Sequence, residues 1–254
     1  MEDIQELFRR KDALDVFEGT DEANVEKLYT NEIFRMRKGI DDVLQTSNRQ
    51  LMNRKTVPFV KKDPVTEEPV AKYKTPAPDL MFGYNTLHGF PDSQHQTLLG
   101  KKNVGFAATT NKNPLVFPFL VVEFKGTNGD IMVAVNQCLG GSASCVNIVE
   151  KLNRQLREET EGETVSVDST AFSIAMNGEL ARIHVSWKHD DLDFYMSPTA
   201  SYLLSDADHF LLFRKVVRNI LDWGKNERLE AIRKSLGALL EAPVHGKTAA
   251  ETQA

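Results

Sequence analysis

The chain has almost no cysteine. Only Cys138 and Cys145 occur in its 254 residues, both within one small-residue segment. That excludes a disulfide-stapled scaffold and predicts two buried thiols in a reducing compartment. Histidine is equally sparse as a source of metal ligands. The six residues His88, His95, His184, His189, His209 and His245 lack the paired short spacings of a structural zinc site. No continuous apolar run reaches membrane-spanning length, and the N-terminal MEDIQELFRRKDALDVFEGTDEA is acidic and amphipathic, without the apolar stretch of a secretory signal. Positive charge is also in deficit: 31 Lys and Arg face 36 Asp and Glu, a net charge of -5. No global field recruits a polyanion, so any nucleic-acid surface must be local. Together these absences predict a soluble intracellular protein, cytoplasmic or nuclear, with no membrane partner.

With 41% hydrophobic and 26% charged residues, the chain has enough apolar surface for one real core. The expected organisation is an N-terminal segment over residues 1–20, one domain over 21–242 with a helical extension from about 205, and a disordered tail over 243–254. From Asp21 to Asn53, Val25, Leu28, Ile33, Met36, Ile40, Val43 and Leu51 fall near helical spacing. This predicts a long amphipathic helix with room for a break, capped by Thr20 or Asp21. Residues 54–78 are rich in Lys and Pro and read as an extended arm or loop. A short strand follows at PDLMFGY, and Phe90 to Gly100 reads as a loop or helical insertion.

The clearest element is LVFPFLVVEFK over Leu115 to Lys125, an almost unbroken run of β-branched and aromatic residues. It fits a strand buried on both faces. Asp130 to Glu159 turns helical, interrupted by Gly140 and Gly141, which imply close packing. Phe172 to Met176 and Leu180 to Trp187 read as strands joined by Asn177 and Gly178. A polar stretch (KHDDLDFYMSPTA) precedes one long or two consecutive amphipathic helices from Ser205 to about Leu240, with Gly224 marking a bend between them.

Chemistry concentrates at Asp79 after Pro78, and at Glu123 and Lys125 closing the buried run. Side chains alternate along a strand, so Glu123 and Lys125 share one face. A carboxylate and an ammonium at the end of so apolar a strand cost desolvation unless they pair or bind something. Phosphodiester cleavage needs a hard cation held by carboxylates and a group that orients the attacking water.

Pro78-Asp79 and Glu123-Phe124-Lys125 resemble the PD-(D/E)xK, or restriction-endonuclease-like, nuclease superfamily. The wider rows PDLMFGY, FPFLVVEFKG and NQCLGGSASCVNIVEKLN look like a fungal nuclease-like branch of it. The resemblance covers roughly Asp21 to Trp187, in the order helix, strands, helix, strands. It implies an α/β (α+β) fold: a central mixed sheet flanked by helices, here with long N- and C-terminal helices. It also implies a Mg2+ (or Mn2+) site on Asp79 and Glu123, joined by the main-chain carbonyl of Phe124, with Lys125 positioning the hydroxide. By the same resemblance Gln137, next to Asn136, faces the site from the following helix. An acid of the first helix is added as a ligand, Glu32 in preference to Glu26. The long step from Asp79 to Glu123 requires an insertion near Phe90 to Asn113.

Simpler readings stand beside these. Glu123 and Lys125 could form an ion pair with no metal, and Asp79 could be a turn residue. Lys61, Lys62, Lys72, Lys74, Lys101 and Lys102 could touch phosphates, or could be solvated loop lysines. Gly140 to Ser144 lacks the ending of a P-loop. Trp187 and Trp223 read as core. Two functions remain: a Mg2+-dependent nuclease acting on nucleic acid, or a nuclease-like fold kept as a nucleic-acid- or protein-binding module, its terminal helices serving a protein partner or homo-oligomer.

Overall fold

A computed structural model describes residues 20–58, 74–99, 106–109, 114–160, 166–189 and 193–242. The predicted N-terminal segment, apart from Thr20, lies outside the described residues. So do the tail over 243–254, most of the proline-rich arm, and Lys61, Lys62, Lys72, Lys101 and Lys102.

One apolar strand organises everything else. β3 (Val116–Phe124) is buried at all nine positions, because helices cover both of its faces. Six strands form a mixed sheet in sequential order: β1 (Leu44–Ser47), β2 (Leu80–Tyr84), β3, β4 (Ala171–Met176), β5 (Leu180–Lys188) and β6 (Phe194–Leu203). Neighbours run antiparallel except β3 and β4. A parallel pair needs a crossover, and α4 (Ile131–Glu159) supplies it. The helices before α4 are α1 (Glu22–Glu32), α2 (Thr86–Gly89) and α3 (Asp92–Leu99). α5 (Ala207–Trp223) and α6 (Leu229–Glu241) follow the sheet. The chain is thus a mixed sheet flanked by helices, the class its sequence pattern predicts.

α4 runs without a break through Gly140 and Gly141. A Cβ on Gly141 would lie 3.3 Å from Pro78 and 3.4 Å from Val121, so the glycine buys close contact between helix and sheet. By length and composition α4 could also cross a membrane, with a mean hydropathy of 1.3 over its most apolar stretch. Interspersed Asn and Ser hide this in the sequence. Its apolar stripe, from Ala134 through Cys145 to Leu156, is buried in the fold.

Several expectations need correction. The long first helix ends at Glu32, after only three turns. The chain then turns through Gly39, at φ +78°, and enters β1. Asp41 fixes that turn: it accepts from the Arg37 amide and pairs with Arg37, Arg218 and Lys225. Burial alone would raise the Asp41 carboxyl, but these cations hold it at about 2.

The segment read as a polar stretch contains β6, an edge strand that tolerates Pro198 beside a register shift opposite Ile183 and His184. In the β4–β5 hairpin the two loop residues are Gly178 and Glu179. Asn177 instead receives the Glu179 and Leu180 amides on its side chain. Trp187 stands exposed, stacked on Tyr195 with ring centroids 5.8 Å apart. The bend at Gly224 is a π-helical segment, Gly224–Arg228, forced against the Phe119 ring.

Candidate active site

Three predicted residues meet at one end of the sheet. The pairing of Leu80 with Val122 carries Asp79 across from Glu123, and strand alternation puts Lys125 on the same face. Asp79 Oδ2 accepts from the Phe124 amide at 2.8 Å, which fixes its carboxylate against the end of β3. It is therefore more than a turn residue. The chain leaves β3 through Gly126, where a Cβ would lie 3.0 Å from the Thr20 carbonyl oxygen. Thr127 N donates to that same carbonyl at 3.0 Å. These two contacts dock the start of α1 onto the end of β3. Asp21 caps the helix by accepting from Asn24 N at 2.9 Å, and Glu22 reaches Lys125 Nζ at 3.2 Å.

Glu123 is almost fully buried, at 2% exposure, and its Oε2 has no hydrogen-bond partner among the described residues. Its carboxyl is pushed up to about 8, first by burial and then by the Asp79 carboxylate within hydrogen-bonding reach; Lys125 opposes the shift. Buried Cys138 of α4 helps close the site, and its own thiol is pushed up by burial and by Glu123. The nearby Asp79 carboxylate adds to the burial that raises Glu123.

Arg49 completes the cluster and was not foreseen. It extends the β1–β2 pairing past Ser47, donating its amide to Pro78 O at 2.9 Å, and holds a left-handed φ of +50°. Its guanidinium lies 3.4 Å from Asp79 Oδ1, 2.5 Å from Glu26 Oε2 and 3.6 Å from Glu22 Oε1. The Glu26 carboxyl is raised by burial, while Arg49 works against that rise. In the sequence Arg49 is one polar residue in a turn. Only the β1–β2 register reveals it.

Glu32 is not part of this cluster. It lies about 9 Å beyond Glu26 along α1 and roughly a third of a turn off the face shared by Glu22 and Glu26. The first-helix acids at the site are Glu22 and Glu26. Gln137 is exposed, on the side of α4 that Gly140 and Gly141 turn toward Pro76 and Pro78. No hydrogen bond joins it to Asp79, Glu123 or Lys125 among the described residues. The Phe124 carbonyl already accepts from Lys125 Nζ at 2.5 Å.

Among the described residues no three His, Cys, Asp or Glu side chains are grouped to hold a metal ion. The donor set nevertheless fits magnesium, which keeps several waters and takes one or two protein carboxylates. The unpartnered Glu123 oxygen beside Asp79 is the position such an ion would fill.

No curated protein and no solved structure matches the chain. A protein-family model, described as a domain of unknown function, matches residues 9–236, nearly the whole chain. The match takes in α1, the whole sheet, the carboxylate cluster and most of α6, and the chain therefore belongs to the DUF7924 family.

Proposed function

We propose that the chain is a magnesium-dependent nuclease that hydrolyses phosphodiester bonds of nucleic acid. The reading is carried by the Asp79–Glu123 pair, with its buried unpartnered oxygen, set beside Lys125 at the end of β3. The element order of one helix, three strands, a crossover helix and a parallel strand supports the PD-(D/E)xK resemblance. Asp79 stands at the start of β2, and the acid-x-Lys closes β3. The compartment that fits is intracellular, cytoplasm or nucleus.

Asp79 and Glu123 would hold the cation, which would supply Lewis-acid chemistry that offsets charge on the phosphate. Lys125, tethered to Glu22 and to the Phe124 carbonyl, orients the attacking water. Glu22 and Glu26 hold Lys125 and Arg49 in place.

The test is incubation of wild type and Lys125→Ala with labelled single- and double-stranded DNA and RNA, in magnesium, manganese or EDTA. We expect metal-dependent cleavage by wild type and a loss of more than about 100-fold in the variant. No cleavage of any substrate by folded wild type would overturn the nuclease reading.

One observation favours a second reading, a nuclease-like fold kept for binding. Arg49 already pairs with Asp79, and Lys125 with Glu22, so cations of the chain itself offset part of the charge at the cluster. A protein partner or second copy would then use exposed leucines of α5, Leu211 and Leu212. The two readings differ in how Arg49 behaves. If the acids bind magnesium, Arg49→Ala removes a competing cation from a half-exposed position. Calorimetric titration should then show about 5-fold tighter magnesium binding, equivalent to ~1 kcal/mol. If Arg49 is a permanent counter-ion, the variant loses stability and gains no affinity.

A further inference from the structure

Away from the carboxylates, positive charge gathers at one place on α4. The 3₁₀ turn Arg54–Thr56 lies against this helix: Asn147 Nδ2 donates to the Thr56 carbonyl at 2.8 Å, and the Lys151 ammonium donates to the Lys55 carbonyl. These contacts bring Lys55 beside Lys151 and Arg154, while Arg54 opens the same turn. Arg54, Lys55 and Arg154 are exposed and Lys151 is half-buried. None of the four pairs with a carboxylate among the described residues, although the chain carries a net charge of -5.

Solvated lysines extend away from one another. Lys151 instead folds back onto a main-chain carbonyl, among like charges. Its ammonium is held below the ordinary lysine value by burial first, then by Arg154 and Lys55. Three cations gathered without counter-charge, with Arg54 next to Lys55 in the same turn, are stabilised by an anion that bridges them.

Their position indicates which anion. Gly141 packs on Pro78, immediately before Asp79. Lys151 follows ten residues later on the same helix, about 15 Å along its axis. A nucleic-acid strand advances about 3.4 Å per phosphate, so roughly four phosphates span this interval. A phosphate polymer held at the patch is long enough to span that interval.

We propose that Arg54, Lys55, Lys151 and Arg154 form a landing site for the backbone phosphates of nucleic acid, displaced along α4 from the carboxylate cluster. The choice of partner rests on the nuclease reading, while the patch itself does not.

The experiment uses the full chain in EDTA. Binding of labelled single- and double-stranded oligonucleotides is followed by fluorescence anisotropy across a salt series. Lys55→Glu/Arg154→Glu is compared with wild type and with Lys215→Glu, which changes charge at an exposed position of α5, a different helix. The double variant should bind at least about 10-fold more weakly near 50 mM salt, and its log K against log salt slope should shrink by about 1.4–1.8. Lys215→Glu should keep the wild-type slope. Equal losses in both variants, or no loss in either, would overturn the landing site. So would binding confined to phosphatidylserine vesicles, the same cations then serving a lipid surface. Hydrolysis of bis(p-nitrophenyl) phosphate with magnesium separates the two claims. The double variant should match wild type there, and an inactive wild type that still binds oligonucleotides through the patch loses only the nuclease reading.

Discussion

Glu123→Gln should be more stable than wild type at pH 8 and should no longer respond to magnesium. In the folded chain the Glu123 carboxyl is raised to about 8 from an ordinary 4.5, because it is buried and faces Asp79. The folded state therefore binds this proton more tightly than the unfolded state. The resulting stability is fully present below about 4.5 and is lost as pH rises through 8. Wild type should lose thermal stability across that window, while the glutamine variant, a permanent mimic of the protonated acid, should lose much less. Magnesium reverses the preference, because a ligand carboxylate must be deprotonated. For a millimolar site, ~10 mM magnesium adds about 1.4 kcal/mol to wild type near pH 8, a rise of roughly 3–6 °C. The rise should shrink toward pH 6 and be absent in the variant, whose cleavage should fall more than about 100-fold. Differential scanning calorimetry over pH 5 to 9, with and without the ion, checks both signs. An equal magnesium response in the two proteins would move the binding site away from Glu123.

The sequence makes Glu123 and Lys125 visible for a physical reason. They interrupt an apolar run that only a strand buried on both faces explains, and alternation then fixes their common face. The edges of the sheet are much less legible. β1 is four residues long and half-buried, and the apolar spacing before it continues the rhythm of α1. What breaks that rhythm is Asp41, which gathers cations from α5 and the π-helical turn, a contact across the fold that no local window contains. β6 is hidden by Pro198 and by its polar outer face, both tolerable because no described strand pairs with its far side.

The site follows the same division. Glu22 and Glu26 share a helix face, but preferring them to Glu32 requires knowing that Gly126 seats the first turn of α1 on the end of β3. Arg49 requires still more: a left-handed backbone at a residue other than glycine, and a register that places it against Asp79. Local periodicity specifies which strand carries the chemistry. Tertiary contacts decide which charges surround it.

Arg228→Ala should destabilise the chain by about 4 kcal/mol, lowering its melting temperature by roughly 10 °C. Arg228 is 3% exposed, with its guanidinium 5.4–5.8 Å from the ring centres of Tyr84, Phe119 and Trp223. Its role comes from β3. Pro118 cannot donate to a ladder, Phe117 takes a φ of +45°, and the pairing with β2 slips between Phe82 and Tyr84. The slip leaves two buried carbonyls in need of donors. Arg228 supplies both, at 3.0 Å to Phe117 and 3.3 Å to Pro118, and donates to the Tyr84 hydroxyl at 3.0 Å. Tyr84 in turn donates to Gly224 at 2.7 Å, closing the π-helical turn onto the sheet. Lysine keeps the charge but not the planar fork, and methionine keeps the volume but donates nothing. Both should cost about 2–3 kcal/mol, measured as the shift in urea midpoint at constant slope. A methionine variant as stable as wild type would show that the carbonyls need no donor and that only the packing of the long side chain matters. Arg228 meets β3 at its start, with Pro118 five residues before Glu123, so its loss should loosen that end of the strand and leave the carboxylate pair in place. Cleavage by Arg228→Lys should then fall only with global unfolding.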